Sequence, residues 1–182
     1  MMVIVFLVAV TGAFHEDALA DAADGFGGGW NKEQILTIMH DSRVGSFGAV
    51  AVALALLVRF VFLSNIPPQR FDSYLLAGQV TCRWTALPLA FFLPPAREQS
   101  GQGVRVAGKI TLFTLLAGTL FTLAVVGVVL KMKALWVALA AAAVVGLSGA
   151  YYHRRIGGVT GDCLGATNQL TELAIYLSGV IR

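Results

Sequence analysis

Charge is scarce in this chain. Lys, Arg, Asp and Glu make up 13% of its 182 residues, against about 25% in ordinary soluble domains. That deficit points to a membrane protein. The net charge of +3 is small, and there is no basic arm and no interleaving of aromatic with basic residues, so a nucleic-acid partner is excluded. Two cysteines, Cys82 and Cys163, give neither a disulfide framework nor metal-ligand spacing. Cys82 reads as a small buried residue. Internal repeats and low-complexity linkers are absent as well.

What the chain does have is apolar runs. Val44 to Leu63 contains one charge, Arg59, while Ile110 to Leu130 and Ala134 to Tyr152 contain none. Each approaches or reaches the roughly 20 residues that cross a bilayer core. Ser73 to Leu93, interrupted by Arg83 and Pro88, is a fourth candidate, and Thr167 to Ile181, carrying Glu172, a shorter fifth. Met2 to Phe14 is too short to span. No positive charge precedes it, as a secretory leader would require, so it reads as the end of a membrane helix whose beginning is missing. The expected fold is an all-α, polytopic membrane helical bundle of about five full spans plus that truncated first helix. It forms one transmembrane catalytic domain over residues 1–182.

Five spans divide the polar segments into two sets. Segments 15–43, 94–109 and 152–166 carry Lys32, Arg43, Arg97, Arg105, Lys109, Arg154 and Arg155; the other side carries Arg70, Lys131 and Lys133, with Arg59 a fourth at most. Basic residues mark the cytoplasmic side, so the first set faces the cytoplasm. Two loops far apart in sequence then share one face.

On that face lies HEDALADAADG, residues 15–25, which holds four of the ten carboxylates: Glu16, Asp17, Asp21 and Asp24. In a helix Asp17, Asp21 and Asp24 stand at i, i+4 and i+7 on one stripe roughly 60° wide. Like charges at these spacings repel. A solvated helix end with acids near its N-terminus is one account. The stronger one is a divalent cation, for which Mg²⁺ suits hard carboxylate oxygens and commonly shares its shell with substrate phosphates. Gly25 is expected to close this helix. His15 is a lesser candidate as a ligand or proton carrier.

Four further features carry polar chemistry. Gly25 to Gly29 could let backbone donors approach a phosphate, or simply form a flexible exit, with Trp30 at the membrane interface. In His40-Asp41-Ser42-Arg43, Arg43 could clamp a diphosphate and Ser42 donate to it; a helix cap and a snorkelling arginine are the alternative. Arg83 lies deep in an apolar run and should face the bundle interior, against a carboxylate or bound phosphate. Arg154 to Asn168 places glycines, Thr160 and Asp162 between two spans, which suits only a polar cavity. Asn168 and Glu172 share a helix face beyond it.

HEDALADAADGFGGGW, HDSRVGSFGA and RRIGGVTGDCLGATNQLTELAIYL resemble, in order and over nearly the whole chain, the cobalamin synthase family, the adenosylcobinamide-GDP ribazoletransferases. Arg83-Trp84 and Pro95-Ala96-Arg97 share in the match. The family usually has Gly-Gly before its motif histidine, where Gly12-Ala13-Phe14 stands here, and glycine at Ala18. Its members also carry an additional amino-terminal segment with membrane-embedded sequence. The resemblance implies that α-ribazole or its 5′-phosphate attacks adenosylcobinamide-GDP and releases GMP. It further implies a magnesium requirement and a bacterial inner-membrane location.

With that reaction in view, Asp17, Asp21 and Asp24 would hold one or two Mg²⁺, with Glu16 a ligand or an orienting neighbour. Ser42, Arg43, Arg83, Thr160 and Asn168 would bind substrate. Asp162 would be the general base, with Glu172 its alternative. The expected partners are the two substrates and the lipid bilayer; association into a homo-oligomer stays open. Asp21-x-x-Asp24-Gly25 also resembles the CDP-alcohol phosphotransferases, a runner-up reading. A transporter using Arg83 and Glu172 is a remote third.

Overall fold

The structure is a computed structural model that describes residues 1–97 and 110–181. The expected cytoplasmic residues Arg105 and Lys109 lie outside them. Among the described residues the chain is all-α: α1 (Met2–Thr11), α2 (Phe14–Gly28), α3 (Lys32–Met39), α4 (Ser46–Asn65), α5 (Pro68–Trp84), α6 (Ala86–Phe92), α7 (Leu112–Leu130), α8 (Ala134–Ile156) and α9 (Gly161–Val180).

α4 is long and apolar enough to cross a membrane, as is the segment Leu112–Ile156. The latter contains α7 and α8, joined by a 3₁₀ turn, Lys131–Lys133, whose first residue takes a φ of 52°. The two helices fold back on one another, since Thr119 and Thr122 of α7 line one small cavity with Val137 and Ala141 of α8. Phe113, Phe121, Val128, Trp136 and Leu147 stay exposed on their outer faces. That apolar exterior belongs against lipid, whose core accepts helices because each satisfies its own backbone.

The other two expected spans are built differently. Ser73 to Leu93 is not continuous: α5 ends at Trp84, and α6 follows after Thr85, whose hydroxyl donates to the Cys82 carbonyl at 2.6 Å. Pro88 sits in the first turn of α6, where its missing N–H costs nothing. Thr167 to Ile181 belongs to α9, which is buried nearly all round, including Gln169 and Glu172. α9 is therefore the interior helix of the bundle, packed on α2, α4, α5, α6 and α8. Apolar clusters grip both of its ends. Cys163, Leu164 and Ala166 pack with Ile35, Met39, Tyr152 and Ile156. Ile175 and Tyr176 pack with Leu63, Tyr74, Val126 and Val137. Between them along α9 come its polar residues.

The acidic helix also runs past its expected end. Gly25 does not close it: α2 runs on to Gly28, and a Cβ at Gly25 would overlap the Met39 side chain. Gly25, Gly28 and Gly29 serve the α2–α3 contact, while Gly27 makes room for Phe47 of α4. At the other end α1 and α2 meet at an angle of 82°. The bend uses two left-handed residues, Gly12 (φ 61°) and Ala13 (φ 58°). Glycine takes that conformation freely, whereas an L-residue pays about 1–2 kcal/mol. Ala13 therefore carries strain at the corner that starts the acidic helix. Ala13→Gly should raise the thermal midpoint of the detergent-solubilised protein, by about 0–1 kcal/mol of stability once glycine's own entropic cost is subtracted. A lowered midpoint would show that the corner is not strained.

Candidate active site at the seam of two helices

α2 and α9 run antiparallel. Glu16 lies beside Gln169, whose Nε2 donates to Glu16 Oε1 at 3.4 Å. Ala18 lies on Gly165, where an added Cβ would overlap that of Ala18. Asp21 and Asp162 come next along the same seam and feel each other's charge. Small residues at 18 and 165 let the backbones approach, and that approach brings carboxyls of two distant motifs together.

The cluster has a surplus of negative charge. Partial burial, with Asp162, Asp17 and Asp24 adding repulsion against Arg97, pushes the Asp21 carboxyl up to about 6. Burial also raises Asp162, opposed by the Thr160 hydroxyl and by Arg97. Thr160 caps α9: its Oγ1 accepts from the Cys163 N–H at 3.2 Å and donates to Asp162 Oδ2 at 3.2 Å. It thereby orients the acid at the helix start. Asp17 is exposed beside them.

Arg97 was legible only as part of a motif, and the structure brings it to the acids. Segments 94–97 and 158–159 form an isolated parallel bridge: Ala96 N donates to Val159 O and Val159 N to Pro94 O, both at 2.9 Å. A Cβ at Gly158 would overlap the Pro94 carbonyl, which explains a glycine there. Arg97 also donates to the Leu36 carbonyl at 2.8 Å, so α3 helps to hold it.

The remaining members of the acidic stripe are engaged elsewhere. Asp24 is buried and accepts from the N–H of Gly45 at 2.6 Å and of Gly48 at 2.8 Å. It caps the start of α4, and the fit leaves room only for glycine at 45 and 48. This contact joins HEDALADAADG to HDSRVGSFGA. Ser42 and Arg43 stay exposed nearby. Arg43 folds back on Asp41 at 2.6 Å, and that guanidinium holds the Asp41 carboxyl down to about 2.

Glu16 belongs to a buried network centred on Arg59, which is 1% exposed. Arg59 meets Glu16 Oε1 at 3.0 Å and Glu172 Oε2 at 3.2 Å, and it donates to Gln169 Oε1. Gln79 Nε2 donates to Glu172 Oε1 at 2.8 Å and to Tyr176 Oη at 3.0 Å. Gly48, Ala55, Arg59 and Leu63 are the buried residues of α4; because α4 is apolar on nearly every side, no sequence signal marked the face of Arg59 as inward. Arg83, expected inside, is instead exposed and bonds the Gln79 carbonyl at 2.8 Å and Oε1 at 2.7 Å, within its own helix. The reason is its face: Thr81 and Cys82 are the buried neighbours on α5. His15 lies close enough for Arg83 to add to the burial that lowers its pKa. Asn168 is buried in α9.

Among the described residues no three His, Cys, Asp or Glu side chains converge on a common metal position. The arrangement offers two carboxylates on α2, exposed Asp17 and half-buried Asp21, near a third on α9. Its donor chemistry is that of a hard divalent cation completed by other oxygens, such as those of a diphosphate.

A family model described as cobalamin-5-phosphate synthase matches residues 1–180. Curated relatives named adenosylcobinamide-GDP ribazoletransferase match as well. The one from Prosthecochloris aestuarii is 37% identical over 184 residues, covering 100% of this chain and 74% of the relative. Those from Ralstonia pickettii and Shewanella frigidimarina are 42% and 39% identical, covering 91% and 93% of this chain. The chain spans 65% and 67% of the length of these last two. No solved structure matches. The chain belongs to the cobalamin-5-phosphate synthase family.

Proposed function

We propose that the chain transfers a phosphoryl-linked corrinoid. A ribose hydroxyl of α-ribazole, or of its 5′-phosphate, attacks the diphosphate of adenosylcobinamide-GDP. A new P–O bond forms, the diphosphate bridge breaks, and GMP leaves with the bond's electron pair. The observation that carries this reading is the acid seam, where Asp17 and Asp21 of α2 meet Asp162 of α9 with a surplus of negative charge.

Asp17 and Asp21 would hold Mg²⁺. The ion, when bound, would neutralise the diphosphate and favour departure of GMP. Asp24 supports these residues by fixing α2 to the start of α4. Asp162 takes the proton of the incoming hydroxyl. Burial raises its carboxyl above the ordinary value, which strengthens it as a base. Glu172 is less suited, because Arg59 and Gln79 already occupy its oxygens. Arg97, whose charge acts on Asp21 and Asp162, would donate to phosphate oxygens, and Arg43 would join it on exchanging Asp41 for phosphate. The count of basic residues supports a site facing the cytoplasm from the inner membrane. A transport path through Arg83 and Glu172 finds no support, since Glu172 is closed into the interior network while Arg83 is exposed.

Purified protein given adenosylcobinamide-GDP, α-ribazole and Mg²⁺ should release GMP and form cobalamin. Asp21→Asn and Asp162→Asn should each lower turnover by about 100-fold or more. Turnover close to wild type in both would contradict the assignment.

The charge surplus also sets a pH dependence. The folded protein holds the Asp21 proton more tightly than an ordinary carboxyl near 3.8. The stability this provides is complete at pH below the ordinary value and is lost as pH rises through about 6. Without divalent cations, the thermal midpoint should therefore fall between roughly pH 4 and pH 6. Mg²⁺ should restore it at the upper end, and Asp21→Asn should flatten the profile. A wild-type midpoint unaffected by both pH and Mg²⁺ would remove the surplus charge from the account.

A further inference from the structure

The buried Arg59 network shares its helix seam with the acids. Glu16 stands one residue before Asp17 and five before Asp21, or about 7.5 Å along α2 from Asp21. Gln169 stands seven residues after Asp162 on α9, with Glu172 beyond it. Arg59 reaches from α4 between the two helices and bonds both: Glu16 at 3.0 Å on α2, Gln169 and Glu172 (3.2 Å) on α9. Gln169 closes the loop by donating to Glu16 at 3.4 Å. Together these contacts tie α2 to α9, directly through Gln169 and indirectly through the Arg59 guanidinium.

The packing between these two sites is made of small residues. Ala18 against Gly165 brings the two backbones close, with the Ala18 methyl lying where a Cβ at 165 would stand, but it is a single non-directional contact. Bonds to a planar guanidinium are directional. We infer that Arg59 is a positioning residue: it sets the register of α2 against α9 and so the placement of Asp17 and Asp21 opposite Asp162. It touches neither substrate nor cation. The inference rests on reading Asp17 and Asp21 as the cation-holding pair.

The test uses Mn²⁺ as a probe for that pair, with binding to the full purified chain followed by electron paramagnetic resonance. Arg59→Lys keeps the charge balance but loses the fork that spans both helices. Gln169→Leu keeps every charge and removes one link, so it serves if the lysine variant does not fold. Both should retain helical content and elute as wild type, yet bind Mn²⁺ about 10- to 100-fold more weakly, as loss of a supporting partner does at metal sites. Val137→Ala, in the opposite apolar cluster, should lower the thermal midpoint without changing Mn²⁺ affinity. Wild-type affinity in a folded Arg59 or Gln169 variant overturns the inference and leaves the cation reading intact. Equal weakening in Val137→Ala also overturns it, since the effect would then be general loosening. Failure of the wild-type chain to bind Mn²⁺ overturns both.

Discussion

A guanidinium with almost no exposure holds this bundle in register. Arg59 enters from a membrane-length helix and meets two carboxylates and an amide on two other helices. Placing a charge in such surroundings is costly unless it is paired and hydrogen-bonded, and removing one partner of a buried pair costs about 3–5 kcal/mol. The arrangement is therefore poor as a source of bulk stability and strong as a constraint on geometry.

From that constraint the rest of the site follows. α9 is gripped by apolar clusters at its two ends and carries its polar residues between them. α2 lies on it with Ala18 against Gly165, close enough for carboxyls on the two helices to raise one another's proton affinity. Asp24 ties the far part of α2 to the N-terminus of α4, and the bridge between segments 94–97 and 158–159 sets Arg97 beside the acids. Four separate motifs thus meet at one end of a bundle whose outer surface is apolar.

Much of this was legible in the sequence, and the rest fails for physical reasons. Composition and run length convey α4, α7 and α8, because a lipid-facing helix is apolar on nearly every side. They misjudge α5, α6 and α9, which face protein, so that polar residues enter their interiors. The acidic stripe identifies α2, but helical periodicity could not reveal that Asp24 turns to cap α4 while Asp21 turns to α9. Gly25 reads as a helix stop by propensity, yet tight contact with Met39 keeps it within the helix. Depth in an apolar run favours Arg83 over Arg59 as the interior arginine. The face of the helix decides otherwise, and only the packing partners of α4 and α5 show which face that is.

The central claim is that α2 and α9 together present carboxylates to a divalent cation bound with a diphosphate. An experimental structure of the full chain with Mn²⁺ and adenosylcobinamide-GDP, using the anomalous signal of manganese, tests it most directly. The account predicts a manganese peak at Asp17 and Asp21, on the side that faces Asp162, with Glu16 still paired to Arg59. A peak at Glu16 or Glu172 with Arg59 displaced, or none near α2, would contradict it.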